Sequence, residues 1–546
     1  MQHYTGANAP YFDTGRKPVQ GVRGAVTSPN YLATQAGEQI LRRGGHAVEG
    51  AIAVNTVLCV VYPHMAGLGG DLFALVKNKD EDVQALNGSG RAGENASRRF
   101  YTDQGYEEIP DRGPLAANTV PGTVAAWQEL HQAYGNLTWP ELFEEAIYFA
   151  ESGFTVTEKF SRFLFEKQEV INQHDKAAAI LLPGGNVPQP GEIVKQPELA
   201  ETLRRIAEEG AEAFYSGPIA EQVTASLQQA GGLLTMDDMR SHESTWETPL
   251  STTYHEAYEV FEMRPNTQGI ATLMMLNILE YFPVAALGDN TKEYYHVMAE
   301  AAKVAFTYRD QWVTDPAYEQ VPIESLLSDA HTKKMVDQID LHKAYPVADL
   351  PRLPELSVNK DTTFFAAVDA EGNAVSMIQS IYHEFGSGFM ADGGFLLQNR
   401  GSFFSLDDDH PNRLEPGKRT FHTIIPALAL KDGDPFLLFG TMGGEGQPQT
   451  QCALLTRIVD FGYNVQQAIE APRWLYGRTW GENSSSLKME KRIPDSILTA
   501  LGDLGHEIEI TPGYSQQMGH AQAVLFRPTC YEAGADPRGD GIALSW

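Results

Sequence analysis

Apolar residues recur at helical spacing through most of the first two-thirds of the chain, broken by short strand-like runs. The stretch "GAVTSPNYLATQAGEQILRRGGHAVEGAIAVNTVLCVVYPHMAGLGGDLFALVKN" reads as strand, helix, Gly-Gly break, buried helix, glycine-rich turn and strand. Ala36, Ile40 and Leu41 set one helical face, and Gly44-Gly45 end it. Trp127, Leu130, Leu142, Ala146 and Ala150 extend a helical pattern from Thr123 to Gly153. Further helices are predicted over Glu198–Glu209, Ile219–Ala230 and Lys292–Arg309.

The period changes at residue 362. Thr362–Asp369 and Ala374–Ile381 read as strands joined by "AEGN", which is hairpin chemistry. Both are apolar on both faces, as strands held between two layers must be. "TIIPALALKDGDPFLLFG" predicts a second hairpin around Asp432-Gly433-Asp434, and "TMGGEGQPQTQCALLTRIVDFG" a glycine-rich turn before a helix starting near Gln449. Val347–Asp361 is charged and proline-rich and reads as a linker. The main boundary therefore divides residues 1–361 from residues 362–546.

Composition narrows the class. With 42% hydrophobic residues and a net charge of −30, the chain is an ordinary globular one that lacks the basic surface nucleic acid or an anionic membrane requires. Cys59, Cys452 and Cys530 are far apart and form no CxxC, so neither a disulfide framework nor a zinc site is expected. The first residues lack the basic-then-apolar order of a secretory signal, and no apolar run reaches membrane-spanning length. A cytoplasmic enzyme is the expectation.

The 361/362 junction suggests a chemistry. A threonine hydroxyl is a weak nucleophile that needs a base beside it. Scission of the Asp361–Thr362 bond would give Thr362 its own α-amine, with an ordinary pKa near ~8, as that base. By itself Thr-Thr is a common strand opening. Gly443-Gly444, between a strand and a helix, offers backbone N–H groups that a substrate carbonyl could approach; alone, it is a plain turn.

Taken in order, "GGHAVEGAIAV", "AGLGGDLFALV", "VPGTVAAWQELHQAYG", "AESGF", "DTTFFAAVDAEGNAVSMIQSIYHEFGSG", "PGKR", "GTMGG" and "APRW" are more specific. The chain resembles the γ-glutamyltransferase (glutathione hydrolase) family of N-terminal-nucleophile hydrolases, particularly its cephalosporin or glutaryl acylase-like branch. That resemblance implies a four-layer α/β/β/α sandwich of α+β class, formed by two fragments of one self-cleaved precursor that stay together as a heterodimer. It implies Thr362 as nucleophile, Ser380 as its supporting hydroxyl, Gly443 and Gly444 as oxyanion donors, a small amide as substrate, and no metal or organic cofactor. Departures from the family's pattern bear on substrate. Tyr382 and Phe403 stand where γ-glutamyl enzymes place an amide and an acid for the α-ammonium. His422 and Thr423 replace two serines, Ser89 replaces an arginine with Arg91 two residues on, and Arg400 fills a position usually uncharged. The pattern favours an acyl group with a terminal carboxylate and no α-amine, such as glutaryl. True γ-glutamyl transfer is the alternative, and an uncleaved, inactive binding protein is the alternative of another class.

Three further motifs carry weaker signals. "SLDDDHPN" (Ser405–Asn412) fits no calcium or zinc spacing and reads as a solvated turn. "GLGGD" (Gly67–Asp71) lacks a nucleotide-loop pattern and reads as close backbone packing. His383 and Glu384 of "YHEFG" either line the pocket or face solvent.

Overall fold

The computed structural model describes residues 14–346, 361–477 and 484–546. The linker expected at 347–361 thus lies outside the described residues except for Asp361, which belongs instead to the strand that follows, paired with Tyr382.

Seven strands frame the site: β1 (Ala25–Ser28), β2 (Asp71–Lys77), β3 (Asp361–Val368), β4 (Ala374–Tyr382), β5 (Ala427–Lys431), β6 (Asp434–Thr441) and β7 (Ala521–Arg527). Two seven-stranded sheets contain them. The first runs Ile542–Ser545, β1, β3, β4, β2, Gln84–Gly88, Thr245–Glu247. The second runs Val19–Gly21, Cys530–Ala535, β7, β6, β5, Tyr258–Glu262, Leu250–Tyr254. Every pairing within them is antiparallel.

Strand alternation explains the layering. Phe364, Ala366 and Val368 of β3, with Phe73 and Leu75 of β2, meet Leu428, Leu438 and Val524 of the second sheet. The intervening Phe365, Ala367, Leu72, Ala74 and Val76 face a different cluster that includes the helices α1 (Tyr31–Arg42) and α2 (Ala47–Val61). Leu437 and Phe439 of β6 likewise turn toward α3 (Gly269–Leu279), α4 (Lys292–Trp312) and α5 (Gln447–Val459). Both faces of both sheets are covered, so side chains of period two find apolar surroundings whichever way they point. The result is the expected α/β/β/α sandwich.

Local signals place the helices. Asn30 accepts the Leu32 N–H to start α1, and Gly44, at φ +89°, turns the chain out of it. His46 and Glu49 cap α2 reciprocally. The pattern from Thr123 to Gly153 is not one helix: it breaks after Tyr134 and resumes as a 3-10 turn at Trp139–Phe143 and a helix at Glu144–Ser152. Gly135 and Pro140 make the break, with Thr138 and Glu141 capping the new start.

Candidate active site

Thr362 is the second residue of β3, in the middle of the first sheet, and is 1% exposed. Its neighbour's hydroxyl is committed elsewhere: Thr363 Oγ1 donates to the Gln379 carbonyl at 3.1 Å. Asp361 pairs with Tyr382 and Thr363 with Gln379, so Ser380 and Ile381 together oppose Thr362. That extra residue makes a β-bulge, which bends β4 and re-aims its side chains. Ser380 Oγ accepts the Tyr382 N–H at 2.8 Å, and Tyr382 adopts φ +79°, a conformation unusual for a residue with a side chain. The bulge thus delivers Ser380 and Tyr382 to the head of β3.

Opposite Ser380 on the next strand is Asp71, a residue the sequence reading assigned only to packing. The packing is real: an added Cβ at Gly69 or Gly70 would collide with the Leu396 or Ser380 carbonyl. Yet the acid that ends the run is a hub. Asp71 Oδ1 accepts Gly90 N–H (3.0 Å), Gly122 N–H (3.2 Å) and Gln398 Nε2 (3.0 Å), while Oδ2 lies 3.0 Å from His422 Nε2. Burial opposes its ionisation, but the His422 hydrogen bond and nearby Arg400 hold its carboxyl below the usual range. An ionised Asp71 requires His422 to carry its proton on Nε2, leaving Nδ1 as a lone-pair acceptor that is buried and has no partner among the described residues. Burial and Arg400 push His422 down to about 3, so it stays neutral at ordinary pH. An acid at the end of a glycine run, at the start of a strand apolar on both faces, was the available signal.

Arg400 is 1% exposed. Its Nη1 donates to Thr423 Oγ1 at 3.3 Å and its Cζ lies 4.1 Å from the centre of the Tyr382 ring. The other edge of the guanidinium, Nε and Nη2, is buried without a hydrogen-bond partner among the described residues. Burial lowers its pKa to about 10, which leaves it cationic at neutral pH. Phe403 completes the wall, stacked on Phe421 at 5.1 Å and edge-on to Tyr382 at 5.7 Å. His383 and Glu384 are both buried, not solvent-facing, and Glu384 lies 3.4 Å from Lys167.

The glycine turn joins this wall. Gly443 and Gly444 take φ +120° and +54° ahead of a 3-10 turn and α5. Gln268 Nε2 donates both to the Gly444 carbonyl (2.8 Å) and to the Thr423 carbonyl (2.6 Å), while Arg309 Nη1 holds Gln268 Oε1 at 2.8 Å. One amide side chain therefore locks the turn against the segment carrying His422 and Thr423.

Arg91 is not brought to this cluster. It bonds the Gly417 carbonyl at 3.1 Å, pairs with Asp315 at 3.5 Å and lines another cavity. Among the described residues His296, Glu300 and His506 are spaced to hold a metal ion. Their atoms already satisfy one another: His296 Nδ1 and His506 Nε2 lie 2.8 Å apart, and Lys303 binds Glu300 at 2.7 Å. In "SLDDDHPN", Asp408 pairs with Arg98 at the surface.

Residues 33–546 match the gamma-glutamyltranspeptidase family. The chain belongs to that family. Within the gamma-glutamyltranspeptidases it is 45% identical over 531 residues to a glutathione hydrolase-like YwrD proenzyme of Bacillus subtilis, spanning 97% of this chain and 99% of that one. It is 39% identical to an oxamate amidohydrolase proenzyme of Klebsiella pneumoniae, over 96% and 98% of the two chains. The crystal structure of cephalosporin acylase from Bacillus halodurans superposes with a TM-score of 0.90 at 36% identity, covering 98% of both chains. The chain is thus an N-terminal-nucleophile hydrolase made as a proenzyme, with the fold of this family, and acts on amides.

Proposed function

We propose that this gamma-glutamyltranspeptidase-family proenzyme matures by scission before Thr362 and then hydrolyses amides whose acyl group carries a free carboxylate and no α-amine. In maturation Thr362 Oγ attacks the Asp361 carbonyl carbon, the peptide C–N bond breaks, and the hydroxyl proton passes to the departing nitrogen. Water opens the resulting ester, leaving a carboxyl on Asp361 and a free amine on Thr362. In turnover that amine takes the Thr362 hydroxyl proton and passes it to the leaving amine. Ser380, one bulge away, supports the nucleophile, and the Gly443 and Gly444 N–H groups receive the oxyanion. Water then removes the acyl group.

One observation carries the substrate reading: the Nε and Nη2 edge of a fully buried arginine, Arg400, has no hydrogen-bond partner among the described residues. An unpaired buried cation is costly, and a substrate carboxylate meeting Nε–H and Nη2–H would relieve it. Near Arg400 stand Tyr382, Thr423 and a neutral His422, and the carboxylate beside them, Asp71, already has both oxygens committed to Gly90, Gly122, Gln398 and His422, so none is free to balance an α-ammonium. Glutaryl is the model acyl group. A shorter oxamic type of acyl group is the second reading, favoured because Tyr382, the ring under Arg400, sits directly opposite Asp361.

Glutaryl, γ-glutamyl and butyryl anilides, compared by kcat/KM, test it. The glutaryl compound is expected to exceed butyryl about 10- to 100-fold, the worth of a charge-assisted pair. Preference for γ-glutamyl over glutaryl overturns the proposal.

A further inference from the structure

A cavity of about 440 Å³ lies outside the residues assigned above to catalysis or to the surroundings of Arg400. Its size is that of a small-molecule site. Three arginines line it: Arg91, Arg264 and Arg419. Two of them are already used. Arg91 pairs with Asp315, and buried Arg419 bonds the Ser89 and Glu243 carbonyls and Thr245 Oγ1. The Arg264 side chain has no ion pair or hydrogen bond among the described residues.

On the same lining, Glu247 has the opposite need. Glu247 Oε1 accepts Asn87 Nδ2 at 3.2 Å, but Oε2 is buried without a hydrogen-bond partner among the described residues. Burial, only partly offset by Arg419, Asn87 and Arg264, raises its carboxyl above the usual range. Glu247 and Arg264 feel one another's charge yet form no ion pair. The cavity lining therefore carries an unmet cation and a glutamate with one unmet oxygen, closed to solvent until that side chain turns toward the cavity.

We infer that this cavity binds a free α-amino acid, its carboxylate on Arg264 and its ammonium on Glu247. A simple carboxylic acid would leave Glu247 Oε2 unmet, and a simple amine would leave Arg264 unmet; a zwitterion meets both. The floor connects to the active site through one residue. Asn266 donates to Ser89 Oγ (3.3 Å) and the Thr420 carbonyl (2.7 Å), accepts from Asn87 (3.1 Å), and its carbonyl receives the His422 N–H at 2.8 Å. A bound amino acid thus braces the back of the segment that carries His422 and Thr423. The inference does not depend on the substrate reading above.

Calorimetric titration of the mature enzyme with L-alanine, propionate and ethylamine tests it. L-Alanine is expected to bind at least about tenfold tighter than either single-charge compound, one ion pair's difference. Arg264→Gln should weaken L-alanine by about the same factor, and Glu247→Gln should remove its advantage over propionate. Arg400→Leu, which alters only the active-site pocket, should leave L-alanine binding unchanged. Melting without ligand checks that each variant is folded, and Arg264→Lys, which keeps the charge, should retain part of the binding. Equal affinity for L-alanine and propionate, unchanged binding in Arg264→Gln, or loss of binding in Arg400→Leu overturns the inference.

Discussion

Arg400 and His422 show how single side chains carry the specificity argument. A guanidinium with an empty bidentate edge is a liability in the fold and an asset only when a carboxylate arrives. Arg400→Leu should therefore lower kcat/KM for a glutaryl anilide about 10- to 100-fold and leave a butyryl anilide nearly unchanged. Its melting temperature should change little, since removing a buried cation whose Nε and Nη2 lack a hydrogen-bond partner among the described residues is offset by loss of its attraction to buried Asp71. Equal losses on both substrates would assign Arg400 to the scaffold instead. His422 makes a prediction about pH. Its folded pKa of about 3 lies below the unfolded value near ~6.5, so as pH falls below the latter the unfolded chain takes up a proton that the folded one refuses. Stability from this residue is complete above that value and drains away on acidification. His422→Gln keeps a donor for Asp71 but lacks this linkage. The stability gap between wild type and His422→Gln should narrow by roughly 1–2 kcal/mol between pH 7 and pH 5, read from denaturant melts. Of these residues, the sequence marked Arg400 and His422 as departures from a pattern. It gave no hint that Asp71 ties His422 down, because the two are brought together only by folding.

The elements explain why the site sits where it does. The β4 bulge opposes two residues to Thr362, and the register around it follows from the alternating burial of Phe364, Phe365 and Ala366 on β3. Both strands and the AEGN turn were legible from their apolar runs and turn residues. The bulge was not, since one inserted residue leaves no mark in a strand apolar on both faces. At the Gly443-Gly444 turn, proposed to receive the oxyanion, glycine is required by conformation. Gly443 at φ +120° occupies a region closed to other residues. Gly443→Ala should cost about 10²- to 10³-fold in kcat with a smaller change in KM, measured on whichever anilide turns over best. An unchanged kcat would remove the turn from the chemistry. The break at Gly135–Pro140 shows the reverse weakness, where helical spacing of apolar residues continues across a discontinuous backbone.

At the scale of the molecule, both sheets draw strands from each side of residue 362. In the first, β3 and β4 lie between β1 and β2; in the second, β5 pairs with Tyr258–Glu262 and Cys530–Ala535 with Val19–Gly21. Cutting the chain before Thr362 therefore severs one peptide bond and no layer of the sandwich. Mature protein should give two bands in denaturing electrophoresis, the smaller beginning at Thr362, yet elute as one species in native gel filtration. Thr362→Ala should give a single 60.1 kDa band without activity. An intact, fully active chain would end the maturation scheme. No helix among the described residues is long and apolar enough to cross a membrane.

Periodicity and turn residues were enough to determine the strands around residue 362 and most helices, because each depends on neighbours a few positions apart. Motif order was enough to determine the family. Tertiary structure alone decided that Asp71 holds His422, that Gln268 couples the glycine turn to the segment carrying Thr423, and that Arg91 lines a cavity apart from buried Arg400. Those contacts join residues as many as 351 positions apart, and a hydrogen bond across such a distance exists only once the sheets have closed on one another.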